Sequence, residues 1–340
     1  MTTFATNLPL AAVLAPLAAG LITVLVIAAM LRFRHALPMD EPNHRSLHVA
    51  PIPRSGGLGI MIGTALGWCG VWLSFGGTSG APLLVLALAL SAFSLIDDVR
   101  GLPVTWRFGT QILVASLLVL GLGLKASLPG GAFGAVLAVL AVAWMTNLYN
   151  FMDGSNGLAG GMALFGFGFY ALAAASSGSP AFALAAACIA AAAAGFLVFN
   201  FDPAKIFMGD AGSIPLGFLA AAMGLLGWHL RLWPALFPLL VFSPFIVDAS
   251  VTLARRLLRG EKVWHAHRDH YYQRLIRMGL GHRRTALMEY ILMAACGLAG
   301  LSLLDADSAT QALAAAGGAV VYGVLMAMVD RAWGRLGQGR

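Results

Sequence analysis

Long apolar stretches alternate with short polar loops along the whole chain. Each stretch holds about 20 residues, the length that an α-helix needs to cross the hydrocarbon core of a bilayer. The run between Asp153 and Asp202 carries no charge over 48 residues, and turn-forming residues at 176–180 divide it into two crossings. The pattern predicts eleven membrane spans, at about 9–31, 57–75, 80–96, 108–124, 131–148, 157–175, 180–199, 211–228, 232–254, 285–304 and 308–329.

This pattern predicts an all-α integral membrane protein of about 11 transmembrane helices, with residues 1–340 forming a single polytopic membrane domain. The composition agrees, because 59% of the residues are hydrophobic and only 10% are charged, against roughly 25% charged in an ordinary soluble domain. So few charges exclude a soluble or disordered chain, and a nucleic-acid-binding role despite the net charge of +7. Continuous apolar runs also argue against a β-barrel, whose strands alternate polar and apolar residues.

Basic residues are distributed unevenly between the two sets of loops. An odd number of crossings puts the termini on opposite sides of the membrane. If the loop after the first span is cytoplasmic, 19 of the 21 Lys and Arg residues lie on that side, and only Lys125 and Arg231 lie outside. Cytoplasmic loops carry the excess of Lys and Arg, so we expect the N-terminus outside and the C-terminus inside. Almost every group able to do chemistry then lies on the cytoplasmic face.

Carboxylate and amide side chains collect in three of these cytoplasmic loops. Asp97 and Asp98 end the third span, where two adjacent acids are costly unless a cation or a proton-transfer role compensates. The loop at 147–157 offers several amide and carboxylate oxygens, the hard ligands that Mg²⁺ takes, and Asp210 directly precedes an apolar helix. Helix capping would explain any one of these acids, but their collection on one face indicates a shared site.

Basic and imidazole side chains occupy the remaining cytoplasmic loops. In the first loop, two prolines and the pair Gly56-Gly57 leave backbone N–H groups free at a helix start, which suits an anion, although a simple topology loop is the alternative. The His- and Arg-rich cytoplasmic loop at 255–284 holds three His within six residues, which could bind zinc. The acids and arginines nearby favour phosphate or sugar contacts instead. Asp248, inside the ninth span, is either functional or paired with an arginine.

Oxygen ligands for a metal, together with Arg and His for phosphate, describe a phosphoryl-transfer site that opens to the cytoplasm. A secondary transporter for anionic substrates is the competing class, but it would place polar groups near the bilayer midplane. The spans here are almost wholly apolar at their centres, with Asp248 as the exception. A non-enzymatic lipid-binding scaffold is a third possibility, and it would not need the acidic sets together.

Five motifs resemble those of the bacterial polyprenyl-phosphate N-acetylhexosamine-1-phosphate transferases, which form glycosyltransferase family 4. The motifs lie in register along nearly the whole chain and read DEPNHRSLHVAPIPRSGG, DDVRG, NLYNFMDGSNGLAGG, KIFMGDAGS and HAHRDHYYQRL. The likeness is to the branch that initiates O-antigen and enterobacterial-antigen synthesis. It is not to the muramoyl-pentapeptide branch, whose acidic pair is followed by Lys where this chain has Gly101.

The resemblance implies a reaction and its partners. Enzymes of this family transfer a sugar-1-phosphate from a UDP-N-acetylhexosamine to undecaprenyl phosphate, release UMP and form a lipid pyrophosphate sugar. The resemblance also implies a Mg²⁺ cofactor, with Mn²⁺ as a substitute, and a place in the bacterial inner membrane with a periplasmic N-terminus. Membrane lipid is a partner and nucleic acid is not. A homodimer, and the choice between GlcNAc, GalNAc and a 6-deoxy sugar, stay open.

The resemblance further implies catalytic and metal-binding roles, residue by residue. Asp97 and Asp98 match the acidic pair credited with activating the lipid phosphate, although the motif does not say which of them acts or how. Arg107 matches a basic residue that contacts phosphate. Asp210 and Asn150 match the metal ligands. A phosphate acceptor is already ionised at pH 7, which weakens the need for a general base.

Substrate contacts are implied for a second group of residues. Phe207 matches the aromatic that stacks on uracil, and Asp153 and Asn156 line the nucleotide pocket. The family motif usually has a second acid where this chain has Asn156, so the hydrogen-bonding capacity is kept but the charge is missing. The resemblance also implies contacts to phosphate and sugar from the first and last cytoplasmic loops, through Asn43, Arg45, His48, His265 and Arg268. It further implies a catalytic role for His267 and His270.

Overall fold

The computed structural model describes residues 9–40, 51–77, 80–123, 128–262 and 267–338. This part of the chain is dominated by helices, and ten helical stretches in it are long and apolar enough to cross a membrane, which confirms the predicted all-α membrane fold. The helices are α1 (Leu10–Arg32), α2 (Gly56–Phe75), α3 (Ala81–Arg100), α4 (Val104–Gly121), α5 (Ala132–Phe151), α6 (Leu158–Ser176), α7 (Pro180–Asn200), α8 (Asp210–His229), α9 (Leu236–Val241), α10 (Ser243–Leu258), α11 (Tyr271–Leu275), α12 (Gly281–Ser302) and α13 (Ser308–Gln338).

The predicted ninth span is not one helix but two. The segment predicted at 232–254 breaks at Phe242 into α9 and α10. Pro244 has no N–H to donate to the carbonyl of Leu240, four residues earlier, so a continuous helix would leave that oxygen unpaired. The Ser243 hydroxyl donates to the same carbonyl at 2.7 Å and satisfies it locally. Apolar composition located this segment, but the proline determines where its helix is interrupted.

Helix α8 lies at the centre of the bundle and α13 at its periphery. Of the residues in the spanning stretch of α8, 78% are buried, against 6% for α13. Helices α3 and α5 pack against α8, while α1, α2 and α7 form a neighbouring group. Because α8 begins at Asp210, its central position puts that carboxylate among the ends of the helices around it.

Small residues let these helices approach closely, as is common between helices in membranes. The first turns of α2 and α8 meet at Gly57 and Gly212, where a Cβ on Gly57 would lie only 2.3 Å from the Gly212 Cα. Elsewhere, Gly63 of α2 approaches Thr23 of α1, whose hydroxyl donates to the Gly59 carbonyl at 3.1 Å. The contact between Gly57 and Gly212 joins the two helix starts that carry functional loops.

A short backbone ladder extends this contact into the loops. Strands β1 (Met39–Asp40) and β2 (Ile52–Pro53) pair antiparallel, and Arg54 then forms a parallel bridge with Phe207. The Phe207 N–H donates to the Pro53 carbonyl at 2.7 Å, and the Gly56 N–H donates to the Phe207 carbonyl at 2.9 Å. The first cytoplasmic loop is thereby fixed against the loop that precedes α8.

We expect Gly212→Ala to destabilise the protein, because the added methyl would clash with the backbone of α2. It would lie 2.5 Å from the Gly57 Cα, closer than van der Waals contact allows. Overpacking of this kind costs about 1–3 kcal/mol. The matched control is Gly168→Ala in α6, where nothing lies within 4 Å of the added methyl. Apparent melting temperatures of the detergent-purified proteins should fall for Gly212→Ala only. Equal melting temperatures for both variants would show that the two helix starts separate without cost.

Candidate active site

Four carboxylates meet at one end of the helix bundle. Asp97 and Asp98 end α3, Asp153 lies between α5 and α6, and Asp210 begins α8. Asp210 is close enough to each of the other three for charge repulsion between them. The structure therefore brings together the predicted acidic residues, although they are up to 113 positions apart in the chain (97 to 210). We call this group the acidic centre.

The two adjacent acids of α3 have different partners. Asp97 accepts from the Arg107 Nε at 2.8 Å and from the Leu102 N–H at 2.7 Å, so both of its oxygens are engaged. Asp98 pairs through one oxygen with the Arg54 Nη2 at 3.2 Å. Its other oxygen, Oδ2, is buried and has no hydrogen-bond partner within the described residues. Asp97 therefore holds Arg107 in place, while one oxygen of Asp98 makes no hydrogen bond to the described residues.

Asn150, a predicted metal ligand, supports Asp210 in this structure. Its carboxamide hydrogen-bonds to the Asp210 side chain. The Asn150 Oδ1 accepts from the Ser213 hydroxyl at 2.6 Å, and Ser213 lies one turn after Asp210 in α8. This network fixes the direction of the Asp210 carboxylate. Ser213, which the sequence did not single out, belongs to the site through its contact with Asn150.

The acidic centre suits a divalent cation with an incomplete protein shell. Among the described residues, no three His, Cys, Asp or Glu side chains converge as a metal cage. Mg²⁺ commonly takes only one or two protein carboxylates and fills its other positions with water and substrate phosphate oxygens. The buried, unpartnered Oδ2 of Asp98 and the carboxylate of Asp210 are hard oxygen donors of that kind. The residues present therefore fit Mg²⁺.

Asp153 is held against the start of α8. Its carboxylate accepts a hydrogen bond from the Gly209 N–H. Asp153 is partly buried, and the loss of hydration at its carboxyl, with the nearby Asp210 second, raises the pKa of Asp153 well above its ordinary value. A carboxyl in such a place is costly to ionise, unless a cation or a hydrogen-bond donor binds beside it.

Hydrogen bonds join the loop that carries Asn156 to the loop that carries Phe207. Asn200 at the end of α7 accepts from the Gly157 N–H at 2.8 Å and donates to the Ile206 carbonyl at 2.9 Å. The Asn156 amide donates to Asp202 Oδ1 at 2.7 Å. Phe207 is partly exposed, and its backbone is fixed by the bridge to Arg54. Neither Asn200 nor Asp202 was predicted as a site residue, because only the folded loops bring them to Asn156.

Asp248 organises the segment that carries the histidines. Its carboxylate accepts from the backbone N–H groups of Tyr271 at 3.0 Å and Tyr272 at 3.1 Å, the first residues of α11. It also contacts His270 Nδ1 at 3.2 Å. A carboxylate at a helix N-terminus is favourable because the unpaired N–H groups point at it. Among the described residues the recorded partners of Asp248 are the start of α11, His270 and the Thr252 hydroxyl, and none of its recorded ion pairs is with an arginine.

His267 lies next to His270, with ring centroids 4.7 Å apart. Burial, with His270 and Arg256 as smaller causes, lowers the pKa of His267 to about 4. His267 is therefore a neutral imidazole at physiological pH and can donate or accept a hydrogen bond. The zinc alternative needs His265, which lies outside the described residues, so it is not tested here; among the described residues no group of three His, Cys, Asp or Glu could hold a metal. Arg268 follows His267 and is partly buried.

Two further contacts attach this segment to the bundle. The Tyr272 hydroxyl donates to the Phe151 carbonyl at 3.2 Å, which joins α11 to the loop of Asp153. At the periphery of the bundle, the Asp330 carboxylate of α13 forms ion pairs with Arg255 at 2.6 Å and with Arg274 at 2.8 Å. The stretch predicted as a loop at 255–284 thus includes the end of α10, all of α11 and the start of α12. The remaining predicted contacts lie outside the described residues, namely Asn43, Arg45, His48 and His265.

Helices long and apolar enough to cross a membrane, with an acidic, arginine-paired centre at one end of the bundle, define a multi-pass membrane protein with a charged site at the helix ends. Residues 81–227 match the family model described as glycosyl transferase family 4. The chain is 31% identical over 290 residues to the probable undecaprenyl-phosphate N-acetylglucosaminyl 1-phosphate transferase of Bacillus subtilis (strain 168), covering 80% of each chain.

Two other relatives are similar over most of the chain. The decaprenyl-phosphate N-acetylglucosaminephosphotransferase of Mycolicibacterium smegmatis is 30% identical over 330 residues, 85% of this chain and 80% of the relative. A phospho-N-acetylmuramoyl-pentapeptide-transferase of Moorella thermoacetica is 30% identical over 245 residues, 65% of this chain and 75% of the relative. The chain belongs to the polyprenyl-phosphate N-acetylhexosamine-1-phosphate transferase family, as its motifs predicted.

The raised pKa of Asp153 predicts a pH-dependent gain in stability for Asp153→Asn in EDTA. A carboxyl with a higher pKa in the folded than in the unfolded protein penalises folding once the pH exceeds the unfolded value, and asparagine removes that penalty. The variant should therefore exceed wild type in apparent melting temperature at pH 8, and the difference should shrink at pH 5. An advantage that is larger at pH 5 would contradict the assigned shift.

Proposed function

We propose that this protein transfers an N-acetylhexosamine-1-phosphate from a UDP-sugar to a polyprenyl phosphate, undecaprenyl phosphate in the first instance, and releases UMP. The observation that carries the proposal is the acidic centre, with Asp98 and Asp210 beside Arg54 and Arg107, in a chain of this family. Carboxylates for a cation next to arginines for phosphate are what a phosphoryl-transfer site requires. The printed names of the relatives make N-acetylglucosamine the first sugar to test.

Within the acidic pair, the geometry favours Asp98 as the residue that meets the reacting groups. Both oxygens of Asp97 are used in positioning Arg107 and the Leu102 N–H, whereas the Asp98 Oδ2 is unpartnered. Arg107 is 41% exposed, so its guanidinium can also contact a phosphate at the surface of the site. Since an acceptor phosphate is already ionised, Asp98 serves to hold and orient charge rather than to remove a proton.

Asp210 and Asp98 would hold Mg²⁺, and Asn150 would orient Asp210 through its amide. When bound, Mg²⁺ neutralises charge on the donor pyrophosphate and on the departing UMP. On the other side, His267, His270 and Arg268 would contact the pyrophosphate and the sugar. The neutral state of His267 makes it a hydrogen-bond donor to phosphate oxygens rather than a second fixed positive charge.

The uridine would lie between the loops that Asn200 joins. The partly exposed ring of Phe207 offers a stacking surface, and Asp153 and Asn156 offer polar contacts on the facing loop. We place the site on the cytoplasmic face of a bacterial inner membrane, with the N-terminus in the periplasm, because 19 of 21 basic residues then lie inside. A homodimer, and a role in O-antigen synthesis, are further parts of this proposal.

The central experiment measures UMP release by protein reconstituted with undecaprenyl phosphate and a panel of UDP-N-acetylhexosamines. Asp210→Asn should lose about 100-fold or more of the rate, because it removes the charge of a carboxylate that would hold Mg²⁺ against the phosphates. Asp98→Asn should lose a comparable factor, and EDTA should abolish the rate reversibly. The matched control is Asp305→Asn, an exposed acid in the loop between α12 and α13. A transporter or a lipid-binding scaffold would release no UMP from any sugar of the panel.

Phe207→Ala tests the uridine pocket separately. The backbone of Phe207 makes its ladder contacts whatever the side chain, so the variant should fold. Loss of base stacking, worth about 1–3 kcal/mol, should raise the KM for the UDP-sugar by about 5- to 150-fold. The KM for undecaprenyl phosphate should barely change, and Phe207→Trp should keep most of the affinity. An unchanged KM with a lower melting temperature would make Phe207 a packing residue.

A further inference from the structure

Asp202 lies outside every predicted role, yet it holds a residue of the proposed nucleotide pocket. Its Oδ1 accepts a hydrogen bond from the Asn156 Nδ2 at 2.7 Å, a short distance typical of a charge-assisted bond. Asn156 is 9% exposed, so few water molecules can hydrogen-bond to its carboxamide. Asp202 follows α7 by two residues, and Asn156 precedes α6 by two.

The carboxylate of Asp202 fixes which way the Asn156 carboxamide points. A carboxamide carries a donor end and an acceptor end, and a carboxylate only accepts. With Nδ2 toward Asp202, the Asn156 Oδ1 is directed away from it. The flipped carboxamide would place two oxygens against each other, and repulsion disfavours that arrangement. Asp202 therefore commits Asn156 to presenting its oxygen on the other side.

The position of this carboxamide relative to Phe207 is also fixed. Asn200 binds the Gly157 N–H, next to Asn156, and the Ile206 carbonyl, next to Phe207. The loop of the oriented carboxamide and the loop of Phe207 thus belong to one hydrogen-bonded unit. A base stacked on the ring would present its polar edge to groups of this unit.

We propose that Asp202 is a positioning residue that sets the preference for uracil, by making Asn156 act as a hydrogen-bond acceptor. This inference rests on the proposed function. Uracil carries an N–H at ring position 3, which an amide oxygen can accept, whereas cytosine carries a lone pair there, which repels the oxygen. Sites built around a specific hydrogen bond reject an analogue that leaves the group unpaired. The negative charge that the family motif usually has at position 156 is thereby carried by Asp202, the hydrogen-bond partner of Asn156.

Asp202→Asn is the informative variant, because it keeps the size of the side chain and its ability to accept from Asn156. It also allows the flipped arrangement, in which the new amide donates to the Asn156 oxygen. We expect inhibition of lipid-product formation by UMP to weaken about 5- to 20-fold while inhibition by CMP stays the same or strengthens. The UMP-to-CMP ratio should fall at least 5-fold, with kcat within about 2-fold of wild type. Asp305→Asn, remote from the site, should leave the ratio unchanged.

A reciprocal exchange provides the second arm. Asn156→Asp alone places two carboxylates in contact and should raise the KM for the UDP-sugar by more than 20-fold. Combining it with Asp202→Asn restores one carboxylate and one carboxamide, and should return the KM to within about 5-fold of wild type. The UMP-to-CMP ratio should recover with it, because the exchanged carboxylate can only accept.

The outcomes separate the inference from the proposed function. If wild type forms no lipid product from any UDP-sugar, the proposed function fails. If wild type is active and Asp202→Asn lowers the affinities for UMP and CMP equally, or only the melting temperature, then Asp202 merely latches the loops and the inference is overturned. A double variant no better than Asn156→Asp alone would also overturn it.

Discussion

The backbone contact between the start of α2 and the start of α8 is the constraint on which the active centre depends. Gly57 and Gly212 allow the two helices to touch, and the N–H groups of Gly56 and Gly57 donate to the carbonyls of Phe207 and Met208, each at 2.9 Å. This contact sets three functional groups at once. It brings Arg54 to Asp98, fixes the backbone of Phe207, and turns the first residue of α8 toward the end of α3. A side chain at either glycine would separate all three.

The contact holds together charges that repel one another. Asp210 lies near enough to Asp98 and to Asp153 for their charges to oppose ionisation, and among the described residues Arg54 and Arg107 offset the charges of Asp98 and Asp210. An arrangement of this kind is costly for the empty protein and becomes favourable when a cation and phosphates bind. Strain of this sort is often stored where a protein binds or reacts. Buried packing around α8, rather than the site itself, must supply the free energy that keeps the carboxylates in place.

Much of the fold was predictable, because the length of an apolar run is a direct consequence of bilayer thickness. The acids of the site were predictable for a related reason, since a carboxylate at the end of an apolar helix is costly unless it is paired or binds a ligand. What the sequence could not provide were pairings between distant residues. Asp202 with Asn156, Asp248 with the start of α11, and the break at Phe242 all depend on which groups the packing brings together.

The two halves of the site are held by different kinds of bond. The acidic centre is fixed by backbone hydrogen bonds and glycine contacts, which do not depend on charge. The histidine segment is held mainly by two carboxylates, Asp248 at the start of α11 and Asp330 at its outer side. Since α13 is barely buried, Asp330 is one of its main attachments within the described residues. Elements with few buried contacts open more easily than a packed core. By that criterion α13 is the element that separates most easily, whereas the histidine segment is packed, because His270, Tyr271 and Tyr272 are all buried.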